Sequence, residues 1–332
     1  MLQMYSLLLM LPLSAVVVGV LLWFVPTLVW GICRVIARLF HKSPPRYMPF
    51  CRVALVLVLS AWSLMAYAFF VGRFRLEVNP VRYVDASLPA PFKGYKIVHI
   101  SDLHLSTFDD RPSALRRVVD SINAQKPDLI CFTGDLVTIG LSEALPYTDI
   151  LRWLRASDGV VSVLGNHDLL IYTRMPEPKR QREVERLVAY EREQLGWQVL
   201  RNEHITLSRD GTHIHILGVD NCSCGSEGFR TTYSGDLQSA KDGVEGFSVL
   251  LSHDPSHWRA EVWHTDIPLT LSGHTHSGQM RIGSWPLSSL LFEESAGRYV
   301  HEGRMLYVNS GIGCTLPVRL NCPAEITVIT LE

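Results

Sequence analysis

The 332-residue chain predicts an α/β fold of two packed mixed β-sheets with helices outside, preceded by two transmembrane helices. Three observations predict it. Two long stretches near the start carry no charged side chain. Beyond about residue 95, apolar runs of strand length alternate with amphipathic helical segments, and hairpin-like runs come later. Five of the apolar runs end in Asp, Asn or His. The pattern divides the chain into residues 1–72, a connector over 73–94, and a large unit over 95–332.

Between Met1 and Cys33 there is no charged residue, and Leu7–Trp30 is nearly all apolar. At about 1.5 Å per residue this run crosses roughly 30 Å of hydrocarbon. Val53–Gly72 is a second such run, and neither has the polar face expected of a core helix at a protein surface. Pro12 and Pro26 fall near the ends of the first helix, where neighbouring groups can take up the freed carbonyls. No positive segment precedes the apolar run, so a cleaved signal peptide fits poorly. The intervening loop holds Arg34, Arg38, Lys42, Arg46 and Arg52, against Arg73, Arg75 and Arg82 after the second helix. Positive residues stay cytoplasmic, which places the loop inside and the large unit on the outer face of a cell membrane.

Residues 1–72 contain no acid and five of the 31 Lys and Arg; the other 26 face 32 acids, a balance of −6. That is a poor match for nucleic acid, which rewards a basic face. Of seven cysteines, Cys131 sits in a strand-like run and reads as a small buried hydrophobe. Cys222 and Cys224 are candidates for disulfide bonding in an oxidising compartment, although residues so close would more naturally bond elsewhere. The odd count and the absence of a second close pair argue against a disulfide scaffold or a zinc knuckle.

Within the large unit, Lys96–Ile100 reads as a strand. Ser113–Ala124 reads as a helix, with Leu115, Val118, Val119 and Ile122 on one face. Leu129–Thr133 and Val160–Leu164 are strands, Pro146–Arg155 a helix, and Lys179–Leu195 a charged helix whose Arg and Glu residues form a solvated face. Ile205–Leu207 and His213–Val219 form a hairpin turning at Asp210-Gly211. Phe247–Leu251, Leu269–Leu271, Arg304–Val308 and Glu325–Leu331 complete the strands.

The residues just beyond these strands are chemically uniform. After Ile100 come Asp102 and His104, which share one side of an extended chain. That pair alone could cap a helix, pair internally, or grip a metal. Gly134-Asp135 comes after the next strand, and Gly165-Asn166-His167-Asp168 after the one beyond it. Later strands lead into His253 and into Gly273-His274-Thr275-His276. Ligands bind where the carboxyl ends of strands meet, and five independent coincidences are hard to credit.

In this order the motifs resemble the calcineurin-like metallophosphoesterase family, from about Tyr95 to the C-terminus, including Asn309–Gly313 and Arg319–Pro323. The similarity is to a membrane-attached bacterial branch with relatives of UDP-diacylglucosamine hydrolases and general phosphodiesterases. It implies a four-layer metallophosphoesterase-like sandwich and two divalent metal ions, with Mn²⁺ expected and Fe or Zn²⁺ as alternatives. By the resemblance, Asp102, His104 and His276 hold one ion, Asn166, His253 and His274 the other, and Asp135 bridges them. His167 beside a ligand can protonate a leaving alkoxide, with Asp168 holding its other ring nitrogen. Glycines 134, 165 and 273 allow tight turns near the ions.

Other residues take ordinary readings: His99 as a core residue, His213 and His215 as exposed sheet residues, Asp109 and Asp110 as loop residues. Ser277 and the Leu-Val-Thr after Asp135 depart from the family pattern and are candidates for the substrate rim. Ser284–Phe292 is apolar for a loop; it either folds under the core or forms a lip toward acyl chains.

The function expected is membrane-anchored hydrolysis of a phosphodiester or pyrophosphate bond in a lipid-linked or membrane-delivered substrate. UDP-diacylglucosamine is a candidate by resemblance, but it is cytoplasmic and conflicts with an outward-facing unit; a phospholipid, polyprenyl pyrophosphate or cell-wall phosphodiester does not. Two other classes compete. A non-catalytic binding module should have lost a ligand, and all seven ligand positions are filled. A nuclease is opposed by the acidic balance.

Overall fold

The computed structural model describes residues 2–109, 111–224 and 235–332, with side chains from residue 12 onward; Asp110 lies outside the described residues. The chain divides into two compact units, 1–72 and 73–332. In the first, α1 (Leu2–Leu39) and α2 (Met48–Phe70) are helices long and apolar enough to cross a membrane. Their apolar side chains, such as Val20, Phe24 and Val56, are largely exposed, unlike those of core helices. The Trp62 indole donates to the Ala15 carbonyl at 2.8 Å, and Gly19 is small enough to admit that ring. Pro12 and Pro26 lie inside the longer α1 rather than near its ends. The Thr27 hydroxyl, beside Pro26, donates back to the Trp23 carbonyl.

In the second unit the elements run β1 (Leu76–Tyr83), β2 (Lys96–Ile100), α3 (Pro112–Ala124), β3 (Leu129–Phe132), α4 (Thr148–Leu151), β4 (Val160–Ser162) and α5 (Glu177–Ala189). They continue as β5 (Gln198–Val199), β6 (Glu203–Arg209), β7 (Thr212–Gly218), α6 (Leu237–Lys241), β8 (Ser248–Leu251), α7 (Ser256–Ala260) and β9 (Leu269–Ser272). A small ribbon, β10 (Arg281–Ile282) and β11 (Trp285–Pro286), precedes β12 (Gly297–His301), β13 (Arg304–Val308) and β14 (Ala324–Leu331). One sheet has the order β1-β14-β2-β3-β4-β5 and the other β12-β13-β9-β8-β7-β6. Both are mixed: β2, β3, β4 and β5 are parallel, as are β7, β8, β9 and β13, whereas β14 runs against β2 and β12 against β13.

Alternation of side chains builds the layers. Ile97 and Leu129 meet Val249, Leu251, Leu269 and Leu271 between the sheets. Val98, Ile100 and Phe132 point the other way, onto Leu115, Val118 and Ile122 of α3. Leu250 and Leu306 pack outward against Leu237 of α6 and Trp258 of α7. The result is helix, sheet, sheet, helix. The central strands are buried on both faces, which is why they read as apolar runs. Leu115 has no exposed surface, so its truncation to Ala would cost about 2–5 kcal/mol.

Several elements differ from their sequence reading. Residues 76–83, inside the expected connector, form β1 parallel to β14. Pro80 disguised this strand, and it is tolerated because β1 is the sheet's edge. The helix expected over 146–155 is one turn, α4, preceded by 3₁₀ turns. The charged helix gives way after Ala189 to a π-helical turn, Tyr190–Leu195, and Glu191 within it is buried rather than solvated. The β6–β7 hairpin turns where expected, with positive φ at both Asp210 and Gly211.

Candidate metal centre

The carboxyl ends of β2, β3 and β4 in one sheet and β8 and β9 in the other come together, and the loops leaving them carry the polar cluster. Asp102 Oδ1 lies 3.3 Å from His276 Nε2, which lies 3.2 Å from His104 Nε2. Asn166 Oδ1 lies 2.9 Å from His253 Nε2 and 3.2 Å from His274 Nδ1. Between these groups stands Asp135, with Oδ2 3.4 Å from His104 Nε2 and 3.3 Å from His253 Nε2. All seven residues sequence reasoning selected as ligands therefore meet in one cluster.

The backbone is bent hard to achieve this. Asp102, His104, Asp135, His274 and His276 have φ of 51°, 37°, 60°, 70° and 50°. Such left-handed geometry costs roughly 1–2 kcal/mol per non-glycine residue and persists where surrounding structure enforces it, typically at functional sites. Hydrogen bonds across the loops do the enforcing: Asp102 N–H donates to the Gly134 carbonyl at 2.8 Å, and His274 N–H to Asp102 Oδ2 at 3.0 Å. Gly273 is required for space, since a Cβ there would sit 1.8 Å from Ser101 Oγ and 2.3 Å from Asp102 Oδ2. Arg319, fully buried, donates to the carbonyls of Ser310, Gly311 and Gly313 at 2.8, 3.0 and 2.7 Å, and so braces the Asn309–Gly313 loop beneath Asp102.

Electrostatics fit a cation. Burial pushes the His104 and His276 imidazoles down to about 3, keeping them neutral with lone pairs available. Burial opposes charge on Asp135 and His253 as well, but their contact overrides it. Asp135 is held well below the usual carboxylate range, and His253 is raised to about 10. Asp102 Oδ1 is buried without a hydrogen-bond partner among the described residues. An orphaned carboxylate oxygen beside two neutral imidazole nitrogens suits a divalent ion.

His167 and Asp168 part company. The His167 N–H donates to Asp135 Oδ1 at 2.8 Å, and its Nδ1 lies 2.9 Å from the Thr138 carbonyl. That oxygen can only accept, so Nδ1 carries the proton. Asp168, expected to hold the His167 ring, does not touch it. Its carboxylate is fully buried and accepts backbone N–H bonds from Asp135 at 2.6 Å, Val137 at 3.1 Å and Gly165 at 3.1 Å. Asp168 ties together the loops that carry Asp135 and Asn166. Burial and then Asp135 push its carboxyl up to about 7, against the Gly165 and Val137 N–H donors.

Two residues outside the expected ligand and acid set also contribute. Thr138 closes the Leu-Val-Thr run after Asp135; besides its carbonyl, its Oγ1 lies 3.2 Å from His104 Nδ1. Asp254 sits 3.7 Å from His274 Nε2 and accepts the Ser256 N–H at 2.9 Å. Burial opposes its charge, but His274 holds it below the carboxylate range. Its place directly after His253 was the available signal.

Other expectations resolve simply. His99 is buried, with Nε2 2.9 Å from Thr133 Oγ1. His213 and His215 contact Ser208 and Thr206 on the neighbouring strand, away from the cluster. Asp109 accepts from the Tyr147 hydroxyl. Cys222 and Cys224 are free thiols with sulfurs 3.0 Å apart. Ser277 is not on the rim: it is fully buried and bonds Ser310 and Arg281. Its φ of 53° explains why glycine suits that position.

A cleft of about 230 Å³ opens onto the cluster, lined by Asp135, Asn166, His167, His274 and His276. Its other wall is Tyr172, Leu291, Phe292 and Thr315. The Ser284–Phe292 segment is thus a lip at the cleft, not a loop folded under the core, although Ser288 within it is buried.

Residues 95–278 match the family model described as calcineurin-like phosphoesterase. A Bacillus subtilis relative, the uncharacterized metallophosphoesterase YkuE, is 33% identical over 296 residues, covering 82% of this chain and 92% of the relative. A Danio rerio transmembrane protein with metallophosphoesterase domain is 31% identical over 297 residues, covering 85% of this chain and 63% of that protein. Among solved structures, the phosphopantetheinyl hydrolase PptH from Mycobacterium tuberculosis aligns at a TM-score of 0.41 and 14% identity, over 69% of this chain and 96% of that one.

Proposed function

Because this chain belongs to the calcineurin-like phosphoesterase family, we propose that it is a membrane-anchored, dinuclear-metal hydrolase of a phosphodiester or pyrophosphate bond. The observation that carries this reading is the position of Asp135 Oδ2, nearly equidistant from His104 and His253 at 3.4 and 3.3 Å. Asp102, His104 and His276 would hold one ion, Asn166, His253 and His274 the other, with Asp135 shared. A donor set of nitrogen and oxygen without thiolate suits Mn²⁺, and also Fe or Zn²⁺. When bound, such a pair neutralises phosphoryl charge and lowers the pKa of water.

The chain's own residues supply the rest. His167 lines the cleft and is held by the Thr138 carbonyl through Nδ1–H, which leaves Nε2 as the ring nitrogen available for proton transfer. Protonated there, it delivers a proton to the leaving oxygen, as general acids do. Tyr172 packs its ring 4.8 Å from that of His167 and accepts a 2.8 Å hydrogen bond from Asn166 Nδ2, which fixes the amide with its oxygen toward the histidines. Asp254 positions His274 from behind.

The substrate we infer is lipid-linked or membrane-delivered. Supporting this are the exposed apolar faces of α1 and α2, and the five residues that separate α2 from β1. The basic residues clustered around the turn between α1 and α2, Arg34, Arg38, Lys42, Arg46 and Arg52, support an outward-facing hydrolase unit, because positive residues favour the cytoplasmic side. That favours a phospholipid, polyprenyl pyrophosphate or cell-wall phosphodiester over cytoplasmic UDP-diacylglucosamine.

The test is turnover of bis(p-nitrophenyl) phosphate by the full chain in detergent, with Mn²⁺ and with chelator. Turnover should require the metal, and Asp135→Asn should lower it at least 100-fold, roughly the cost of removing a group that stabilises transition-state charge. Metal-independent turnover, or an Asp135→Asn variant as active as the parent, would overturn the reading. UDP-diacylglucosamine run alongside tests the placement, since its efficient hydrolysis would argue for a cytoplasmic unit.

A further inference from the structure

The apolar lip at the cleft is firmly built. The β10–β11 ribbon turns through Gly283, with φ of 62°, and sets Ile282 opposite Trp285. Its backbone is tied down: Leu287 N–H donates to the Met280 carbonyl at 2.9 Å, and Asn321 Nδ2 to the Gly283 carbonyl at 3.0 Å. Arg281 is anchored beneath it on Ser277 and Ser310. Despite this anchoring, Ile282, Trp285, Leu290 and Leu291 are 67%, 41%, 68% and 61% exposed. No charge interrupts Trp285–Phe292, and the next two residues, the acids Glu293 and Glu294, are both paired with Arg259.

Single exposed apolar residues are commonplace, but a fixed group of them beside a cleft marks a binding surface. The inner end of this group identifies the occupant. Leu291 and Phe292 line the same cleft as Asp135, Asn166 and His167, and the Phe292 ring meets His274 edge-on at 5.4 Å. A phosphoester placed at the cluster therefore has one substituent directed along Phe292 and Leu291 toward Leu290, Trp285 and Ile282. A hydrocarbon chain matches that surface, because its side chains are uncharged and apolar apart from the Trp285 indole N–H.

We propose that Ile282, Trp285, Leu290, Leu291 and Phe292 form an acyl-chain subsite that selects phosphoesters carrying a long apolar substituent. This rests on the phosphohydrolase reading, and supplies the specificity that the metal cluster, indifferent to the leaving group's length, cannot.

The experiment compares butyl and dodecyl p-nitrophenyl phosphate as substrates for the full chain in nanodiscs with Mn²⁺. The variants are Trp285→Ser with Leu290→Ser, and separately Ile282→Ser; none of these side chains lines the cleft. The parent should prefer the dodecyl ester in kcat/KM by at least about tenfold, the scale on which apolar pockets discriminate by chain length. The double variant should lose most of that preference while turning over the butyl ester at the parent rate, which also reports intact folding. Absence of a preference in the parent, or its survival in both variants, overturns the subsite and leaves the hydrolase reading standing. Failure of the parent to hydrolyse either ester overturns the hydrolase reading and the subsite with it.

Discussion

Asp168 separates two mechanisms that a motif alone conflates. If it serves the loops, replacing it should damage the fold before it damages the chemistry. In Asp168→Asn one oxygen can remain on the Asp135 and Gly165 N–H groups, now held by Oδ2 at 2.6 and 3.1 Å. The new amide then turns its NH₂ toward the Val137 N–H, which Oδ1 now accepts at 3.1 Å. One buried donor left without an acceptor costs about 1–3 kcal/mol. For a unit of this size, a melting temperature moves by about 2–4 °C per kcal/mol, so the expected fall is roughly 2–12 °C. Asp168→Ala strands all three donors and should cost about 3–9 kcal/mol. The assay is thermal unfolding of the full chain in detergent with chelator present, because bound metal would add its own stabilisation. An unchanged melting temperature in Asp168→Asn, with turnover alone reduced, would refute this account and restore Asp168 as a partner of His167.

Further perturbations test the surroundings. Thr138→Val removes the hydroxyl beside His104 Nδ1, and Mn²⁺ affinity measured by titration should weaken about 10–100-fold, the usual cost of losing a ligand's outer partner. Gly273→Ala drives a Cβ to within 1.8 Å of Ser101 Oγ and 2.3 Å of Asp102 Oδ2; the metal content of the purified variant, read by elemental analysis, should fall toward zero. Glu191, bonded to Ser162 Oγ at 2.7 Å, is raised by burial from 4.5 to about 8. The folded chain therefore keeps a proton that the unfolded chain releases, so this group's contribution to stability is lost as pH rises from about 4.5 to 8. Melting temperature should decline across that range, and decline less in Glu191→Gln; equal slopes would exclude a neutral buried Glu191.

The candidate ligand cluster was legible in the sequence because each of its residues lies within a few residues of a strand's end. Strand ends are marked by where apolar runs stop, and parallel strands bring their carboxyl ends to one edge. The chemistry of Asp102, His104, Asp135, Asn166, His253, His274 and His276 is therefore a local property of the chain. The two long apolar helices are legible for the same reason, each containing an uninterrupted charge-free run. What the sequence hid were relations between loops. Asp168 adjoins His167 in the chain, yet its carboxylate turns inward to backbone N–H groups, and a carbonyl from the Asp135 loop takes the imidazole instead.

Pro80 concealed an edge strand because a missing N–H matters only if a neighbour needs it, and which strand lies at an edge is decided by the whole sheet. Glu191 looked solvated because helical spacing reveals a face only while the helix stays regular, and a π-turn moves it into the core. The lip shows the same division. Its apolar composition was plain in the sequence; its position on the cleft depends on Gly278, Arg281 and Asn321 contacts from separate segments. By itself the sequence determined which chemical groups this protein possesses and which strands present them, since both depend on local order along the chain. Only the tertiary structure decided which side chain each group faces, because backbone hydrogen bonds and burial are satisfied through space.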